Sequence, residues 1–282
     1  MARKPSVAVV GPGRLGAALA VALAGAGYRV IEVVARRPAS ARALARKLGA
    51  AVLAPSAPIS ADVVWICVPD GEIAGVARQL ARACGWEGTT VLHPSGALSS
   101  TELAALRRQG AAAASCHPMM SFTRGVRPTL RGVPFTIEGD ARAVRVAAAM
   151  ARALGGEPLK IAPAAKPLYH AFGAFGSPLI VALLAAGEQV GRAAGVPRTK
   201  LRRALAPMLR QTLENYLRHG AAAAFSGPLV RGDLATVRRH LAELKKVPGA
   251  REVYVALARS AVRNLPVGKR REIGKVLQGR RG

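Results

Sequence analysis

Carboxylates are scarce in this chain. Asp and Glu number 15 against 42 Lys and Arg over 282 residues, a formal net charge of +27. A surplus of that size ordinarily points to a polyanionic partner, because clustered cations bind phosphate backbones by releasing counterions. The rest of that signature is missing. Aromatics make up only 4% and do not alternate with basic residues, arginines are scattered over every expected helix, and no helix-turn-helix or other reading motif occurs. The only dense basic run is the tail, Lys269-Arg270-Arg271 through Arg280-Arg281. Compositional bias toward Ala, Arg, Gly and Pro accounts for the charge, and no specific nucleic-acid partner is expected.

Cysteine is sparse too. Cys67, Cys84 and Cys116 are widely separated, odd in number and without a C-x-x-C spacing. That argues against a disulfide framework or a zinc site and fits a reducing, cytoplasmic setting, with no metal expected. Long apolar runs are equally few. The basic start Met1-Ala2-Arg3-Lys4 leads into an apolar run broken at once by Gly11-Pro12-Gly13-Arg14, so no cleavable signal is expected. The uncharged stretch Ala171 to Gly187 is at the short limit for a membrane span and is interrupted by Gly173, Gly176, Ser177 and Pro178. It reads as buried helix, and no membrane association is expected. With 51% hydrophobic residues the chain is globular, and its length fits two domains better than one.

Against that background one motif stands out. The apolar run Ser6-Val7-Ala8-Val9-Val10 passes straight into Gly11-Pro12-Gly13-Arg14-Leu15-Gly16 and then into an Ala-rich helical stretch. Strand, G-x-G-x-x-G and helix stand in the order of a dinucleotide-binding turn. Gly11 makes the tight turn, Gly13 lets a pyrophosphate approach the backbone, and Gly16 lets the helix pack on the sheet. The helix N-terminus, including the amides of Arg14 and Leu15, then faces the phosphates. About 20 residues on, an NAD site would place an acidic residue for the ribose hydroxyls. The sequence there is Ala35-Arg36-Arg37-Pro38-Ala39-Ser40, and Glu32 comes too early. Arg36, Arg37 and Ser40 suit a 2′-phosphate, which favours NADP(H). The plain alternative is that both arginines are solvated like many others here.

Between Val7 and Ile161 apolar runs alternate with helical ones, the signature of a parallel sheet with crossover helices. Strands are expected at Val7–Val10, Arg29–Val34, Val63–Val68, Thr90–Leu92, Ala113–Cys116 and Pro134–Ile137. After Ile161 only helical stretches follow. The expected domains are therefore residues 1–161, an α/β Rossmann domain, and 162–282, an all-α domain.

Open α/β sheets bind ligands at the carboxyl ends of their strands. There, Val68 and Pro69 are expected to wall the cofactor, with Asp70 capping the next helix. His93-Pro94-Ser95-Gly96 follows the next strand and His117-Pro118-Met119-Met120-Ser121-Phe122 the one after. Each histidine taken alone would as soon be a satisfied structural residue. Further on, Lys166, Tyr169 and His170 share one helix side, continued by Gly173 or Ala174 to Ser177, small groups that leave room; Leu168, Phe172, Phe175 and Leu179 share another at core spacing. The apolar side is expected to pack, and the other to meet a ligand.

These features, with Gly227-Pro228-Leu229-Val230-Arg231-Gly232-Asp233, make the chain resemble bacterial Rossmann-like proteins with a helical carboxyl-terminal domain of unknown function. Those proteins are similar in architecture to pyrroline-carboxylate reductases, deazaflavin-dependent NADP reductases and β-hydroxyacid dehydrogenases. The resemblance implies a helical domain of the 6-phosphogluconate-dehydrogenase carboxyl-terminal type and a homodimer joined through it. It also aligns Ser95-Gly96 with the serine-glycine loop of the β-hydroxyacid dehydrogenases, and Lys166 with their Lys-x-x-x-Asn lysine, His170 standing where they have asparagine. Pro178 stands where the resembling proteins usually have asparagine.

The expected function is an NADP(H)-dependent oxidoreductase reducing a small carbonyl or imine compound between the domains. Lys166 is the first choice for proton donor, His170 the second, with Ser95 holding substrate or nicotinamide. His93 is expected near the cofactor. His117, Tyr169 and Arg231 are expected to contact substrate, with Asp233 a possible helix cap. The rival expectation is a non-catalytic NADP-binding sensor or scaffold dimer.

Overall fold

The computed structural model describes residues 3–83, 85–123 and 128–279. Cys84 and the last arginines of the basic tail lie outside the described residues. Two compact units divide the chain, residues 1–175 and 176–282. The division falls after Phe175 rather than after Ile161, so the segment carrying Lys166, Tyr169 and His170 belongs to the first unit.

The first unit is built on an eight-stranded sheet. Its strands are β1 (Val7–Val10), β2 (Val30–Val34), β3 (Ala51–Leu53), β4 (Val63–Ile66), β5 (Thr90–His93), β6 (Ala112–Pro118), β7 (Pro134–Gly139) and β8 (Glu157–Lys160). The order across the sheet is β3-β2-β1-β4-β5-β6-β7-β8. All neighbours run parallel except β6 and β7, which are antiparallel. Helices α1 (Arg14–Gly25), α2 (Pro38–Leu48), α3 (Ile73–Leu80), α4 (Ala104–Arg107) and α5 (Ala141–Ala153) connect them, and α6 (Lys166–Gly176) closes the unit.

Strand periodicity sorts the core into two layers. Val7 and Val9 face the cluster of Leu19, Leu23, Trp65 and Phe135, whereas Ala8 and Val10 face Ile73, Leu80, Val91 and Leu106. In α1 the buried Gly16, Leu19, Ala20 and Leu23 recur at helical spacing. Strand order reverses between β1 and β4, which places the loops after these two strands at a topological switch point. Glu32 is buried in β2, where it accepts hydrogen bonds from the Ser60 hydroxyl at 2.6 Å and the Ser60 amide at 3.0 Å.

The second unit is helical: α7 (Pro178–Ala193), α8 (Leu201–Ala224), α9 (Pro228–Arg231), α10 (Leu234–Glu243), α11 (Ala250–Asn264) and α12 (Arg270–Leu277). Val237, Leu241, Val255, Ala258, Ile273 and Leu277 form its core. Asp233 caps α10, its carboxylate accepting the Thr236 amide hydrogen at 3.0 Å.

The stretch expected to be buried is not. Leu168, Phe172 and Phe175 are 78%, 65% and 70% exposed, and Leu179, Ile180 and Val181 on α7 are exposed as well. The segment Pro163–Ala193 is long and apolar enough to cross a membrane by length and composition. Its helical path breaks at Ser177 (φ −139°, ψ −83°), where Pro178 opens α7. Proline lacks the amide hydrogen that an uninterrupted helix would need there.

Candidate functional site

The turn after β1 has the geometry that its glycines require. Gly11 leaves the strand at φ +88°, and a Cβ there would lie 2.6 Å from the Cys67 carbonyl oxygen. A Cβ on Gly16 would lie 2.2 Å from the Gly11 carbonyl oxygen, so only glycine lets α1 approach this closely. Gly13 is different: it sits at the N-cap of α1, and a Cβ there would meet nothing within 4 Å. No side chain caps α1, and its first turn has no acidic residue. Open amides and the positive end of the helix therefore face outward, a fitting seat for a phosphate.

Gly11 and Gly13 line a cleft of about 1140 Å³. Arg36, Arg37 and Ser40 line the same cleft beyond β2, and Val68 and Pro69 line it beyond β4. Arg14 and Leu15 sit in the first turn of α1 and are not among its lining residues. The Ser40 hydroxyl donates to the Arg37 carbonyl at 2.7 Å. Arg36 reaches across the cleft to Glu72, Nη2 to Oε2 at 3.2 Å. A dinucleotide with a 2′-phosphate fits this lining: a glycine turn without side chains at one end and two guanidinium groups at the other.

A second group of residues meets where β5, β6 and α6 come together. Lys166 is fully buried, and its ammonium donates to the Ser95 carbonyl at 3.0 Å and to the Ser115 hydroxyl at 2.7 Å. Burial pulls its pKa below the ordinary lysine value, with Glu138 the chief opposing charge. The Ser95 hydroxyl donates to Asp70 Oδ2 at 2.8 Å and accepts from the Leu98 amide at 3.0 Å. Asp70 thus ties the loop after β5 instead of capping a helix as expected; no side chain caps either the 3-10 turn Asp70–Glu72 or α3.

His93 closes the same group. It is fully buried, with Nε2 donating to the Ser99 carbonyl at 3.0 Å and Nδ1 accepting the Ser95 amide hydrogen at 3.2 Å. Both ring nitrogens hold the loop in place. Burial lowers its pKa to about 4.

His117, Tyr169 and His170 do gather. The His117 ring stands edge-on to Tyr169 at 6.4 Å and to His170 at 5.9 Å. Gly96 makes the room: a Cβ there would lie 2.6 Å from His170 Cδ2 and 2.9 Å from His117 Nε2. Burial, with the neighbouring Lys166 charge second, lowers the His117 pKa to about 4. His117 Nδ1 is a buried polar atom without a hydrogen-bond partner among the described residues, and the Tyr169 and Thr136 hydroxyls interact with each other beside it. Thr136 is the cross-strand neighbour of His117. His170 itself is exposed. Arg231 is exposed at the end of α9, in the other compact unit.

Asp70, Glu72, Ser115 and Thr136 were missed as members of these groups. Only Asp70 carried a local signal, a carboxylate directly after Val68-Pro69 at a strand end. The other three enter through contacts between segments far apart in sequence.

Residues 2–118 match the family model of the Rossmann-like domain, and residues 133–261 match that of the domain of unknown function DUF2520. Together the two matches span most of the chain, each over less than half of it. The DUF2520 match begins at Val133, just before β7, and so takes in the end of the sheet as well as the helices. No curated protein is similar to the chain in sequence. Among solved structures, a candidate NADP oxidoreductase of Bacteroides fragilis is similar with a TM-score of 0.76 at 21% identity, over 92% of this chain and 98% of that one. A Thermotoga maritima protein gives 0.72 at 24% identity, over 96% and 99%. An imine reductase of Myxococcus stipitatus in complex with NADP+ gives 0.68 at 18% identity, over 92% and 94%. At such identities the likeness establishes the fold, a Rossmann domain followed by a helical domain.

Proposed function

We propose that this protein is an NADP(H)-dependent oxidoreductase acting on a small carbonyl or imine compound. The observation that carries the reading is the single cleft that joins the open N-terminus of α1 to Arg36 and Arg37. Similar structures captured with NADP+ or NADPH, among them imine reductases and reductive aminases, support the cofactor and the reaction class. NADPH, when bound, supplies the hydride. The chain supplies the phosphate seat, the 2′-phosphate arginines and a proton.

Of the acid candidates, His170 has the exposed ring, and it lies beside His117 and Tyr169, the expected substrate contacts. Lys166 and Ser95 act as positioning residues in this reading, since their polar atoms are engaged inside the unit. The same engagement favours the second reading, an NADP-binding sensor without turnover. Calorimetric titration with NADP+ and NAD+, followed by NADPH oxidation against a panel of carbonyl and imine compounds, tests both. Tight NADP+ binding with turnover of a panel member supports the oxidoreductase. Tight binding with no turnover supports the sensor, and equal affinity for both cofactors removes the 2′-phosphate assignment.

The exposed apolar residues of α7 and α8 in the second unit, and separately those of α6 in the first, support a homodimer in which a second copy covers them, since exposed apolar side chains of this size are costly in water. A cytoplasmic setting agrees with Cys67 and Cys116, both free thiols.

A further inference from the structure

Within the proposed cofactor cleft, the carboxylate that the end of β2 lacks is present on a different element. Glu72 closes the 3-10 turn Asp70–Glu72 after β4, stands at the N-cap of α3 and lines the cleft together with Arg36. Its Oε2 lies 3.2 Å from Arg36 Nη2, and its Oε1 lies 3.4 Å from the same nitrogen. Arg36 is 78% exposed along its side chain, and Glu72 is its only hydrogen-bond or ion-pair partner among the described residues.

We infer that Glu72 is a specificity-determining residue that competes with the cofactor's 2′-phosphate for Arg36, an inference that rests on the cofactor reading above. A phosphate that takes the fork containing Nη2 draws that nitrogen away from the carboxylate it now contacts. The phosphate also brings a second negative charge to within a few ångströms of Glu72, where like charges repel. Glu72 therefore keeps Arg36 oriented in the free protein and weakens the affinity for the phosphorylated cofactor. The unphosphorylated cofactor does not displace the pair and does not feel this competition. Glu72 has one other role to offer, a favourable charge at the N-terminus of α3. That role would show in stability and would leave cofactor preference unmoved.

The test is a calorimetric double-mutant cycle on the full chain with NADP+ and NAD+, using wild type, Glu72→Gln, Arg36→Ala and the double variant, with melting temperatures recorded for each. Glu72→Gln should tighten NADP+ by about three- to tenfold, as expected for releasing an exposed ion pair and a repulsion. NAD+ affinity should change less than about twofold, and the gain for NADP+ should vanish in the Arg36→Ala background. Unchanged NADP+ affinity in Glu72→Gln, or equal tightening of both cofactors, overturns the role of Glu72 while leaving the arginine assignment standing. NADP+ affinity that survives Arg36→Ala intact overturns the 2′-phosphate assignment itself. The two failures are thereby told apart.

Discussion

The Lys166 ammonium lies 3.0 Å from the Ser95 carbonyl oxygen, so the first residue of α6 is fastened to the loop that follows β5. The Ser115 hydroxyl, which receives the same ammonium at 2.7 Å, also donates to that carbonyl at 3.3 Å. Removing the lysine leaves a cavity and breaks two charge-assisted hydrogen bonds at once. Lys166→Ala should lower unfolding stability by about 2–4 kcal/mol, read as a shift in the urea midpoint. Wild-type stability in that variant would mean that the ammonium is not a fastening.

Acid should destabilise the protein through its buried imidazoles. His93 and His117 have pKa values lowered from 6.5 to about 4 by burial. In the unfolded chain they protonate near 6.5, so between about 6.5 and 4 the unfolded state binds more protons than the folded one. Stability is full above 6.5 and falls as the pH drops through that window, by up to about 1.4 kcal/mol per pH unit for each group. Urea titrations at several pH values should show the slope, and His93→Gln should remove one group's share. A flat profile would contradict the burial of these rings.

Gly16 leaves no latitude. The position of its missing Cβ is 2.2 Å from backbone, the Gly11 carbonyl oxygen, which cannot swing aside as a flexible side chain would. Gly16→Ala should cost about 1–3 kcal/mol by thermal unfolding and weaken NADP+ binding with it, because α1 must lift off the turn. A variant with normal melting and normal affinity would show that α1 packs less tightly than the structure shows.

The apolar side of α6 offers a direct check on assembly. Phe172 is 65% exposed, beside Leu168 and Phe175. Phe172→Glu should leave the single chain folded and shift light-scattering mass from dimer to monomer, since a carboxylate is costly in a desolvated interface. Wild-type protein that is monomeric across dilution, at physiological salt and after nuclease treatment, would contradict the proposed dimer.

Legibility in the sequence followed how local the cause was. The turn from β1 into α1 was readable because each glycine's reason lies within a few residues of it. Strands β3 and β8 were missed because they are short edges; β8, Glu157-Pro158-Leu159-Lys160, carries a proline and two charges that mask any strand pattern. Helical spacing correctly separated Lys166 and Tyr169 from Leu168, Phe172 and Phe175. It could not say which side the chain itself covers, and the structure turns the lysine inward and the phenylalanines outward. The pairings of Ser95 with Asp70 and of Arg36 with Glu72 span 25 and 36 residues, and no pattern within one segment announces them.

The open space at Gly13 separates two properties that the neighbouring glycines keep fused. At φ −71° and ψ −169° its backbone is ordinary for any residue, and a methyl group placed there meets no atom of the protein. Gly13 lines the cleft, so a side chain there would crowd the proposed phosphate seat. Gly13→Ala should therefore act as a decoy: a chain that folds and melts like the parent while its methyl group intrudes on the proposed anion seat. It gives any cellular study of this protein a means of asking which phenotypes belong to the scaffold and which to the occupied cleft.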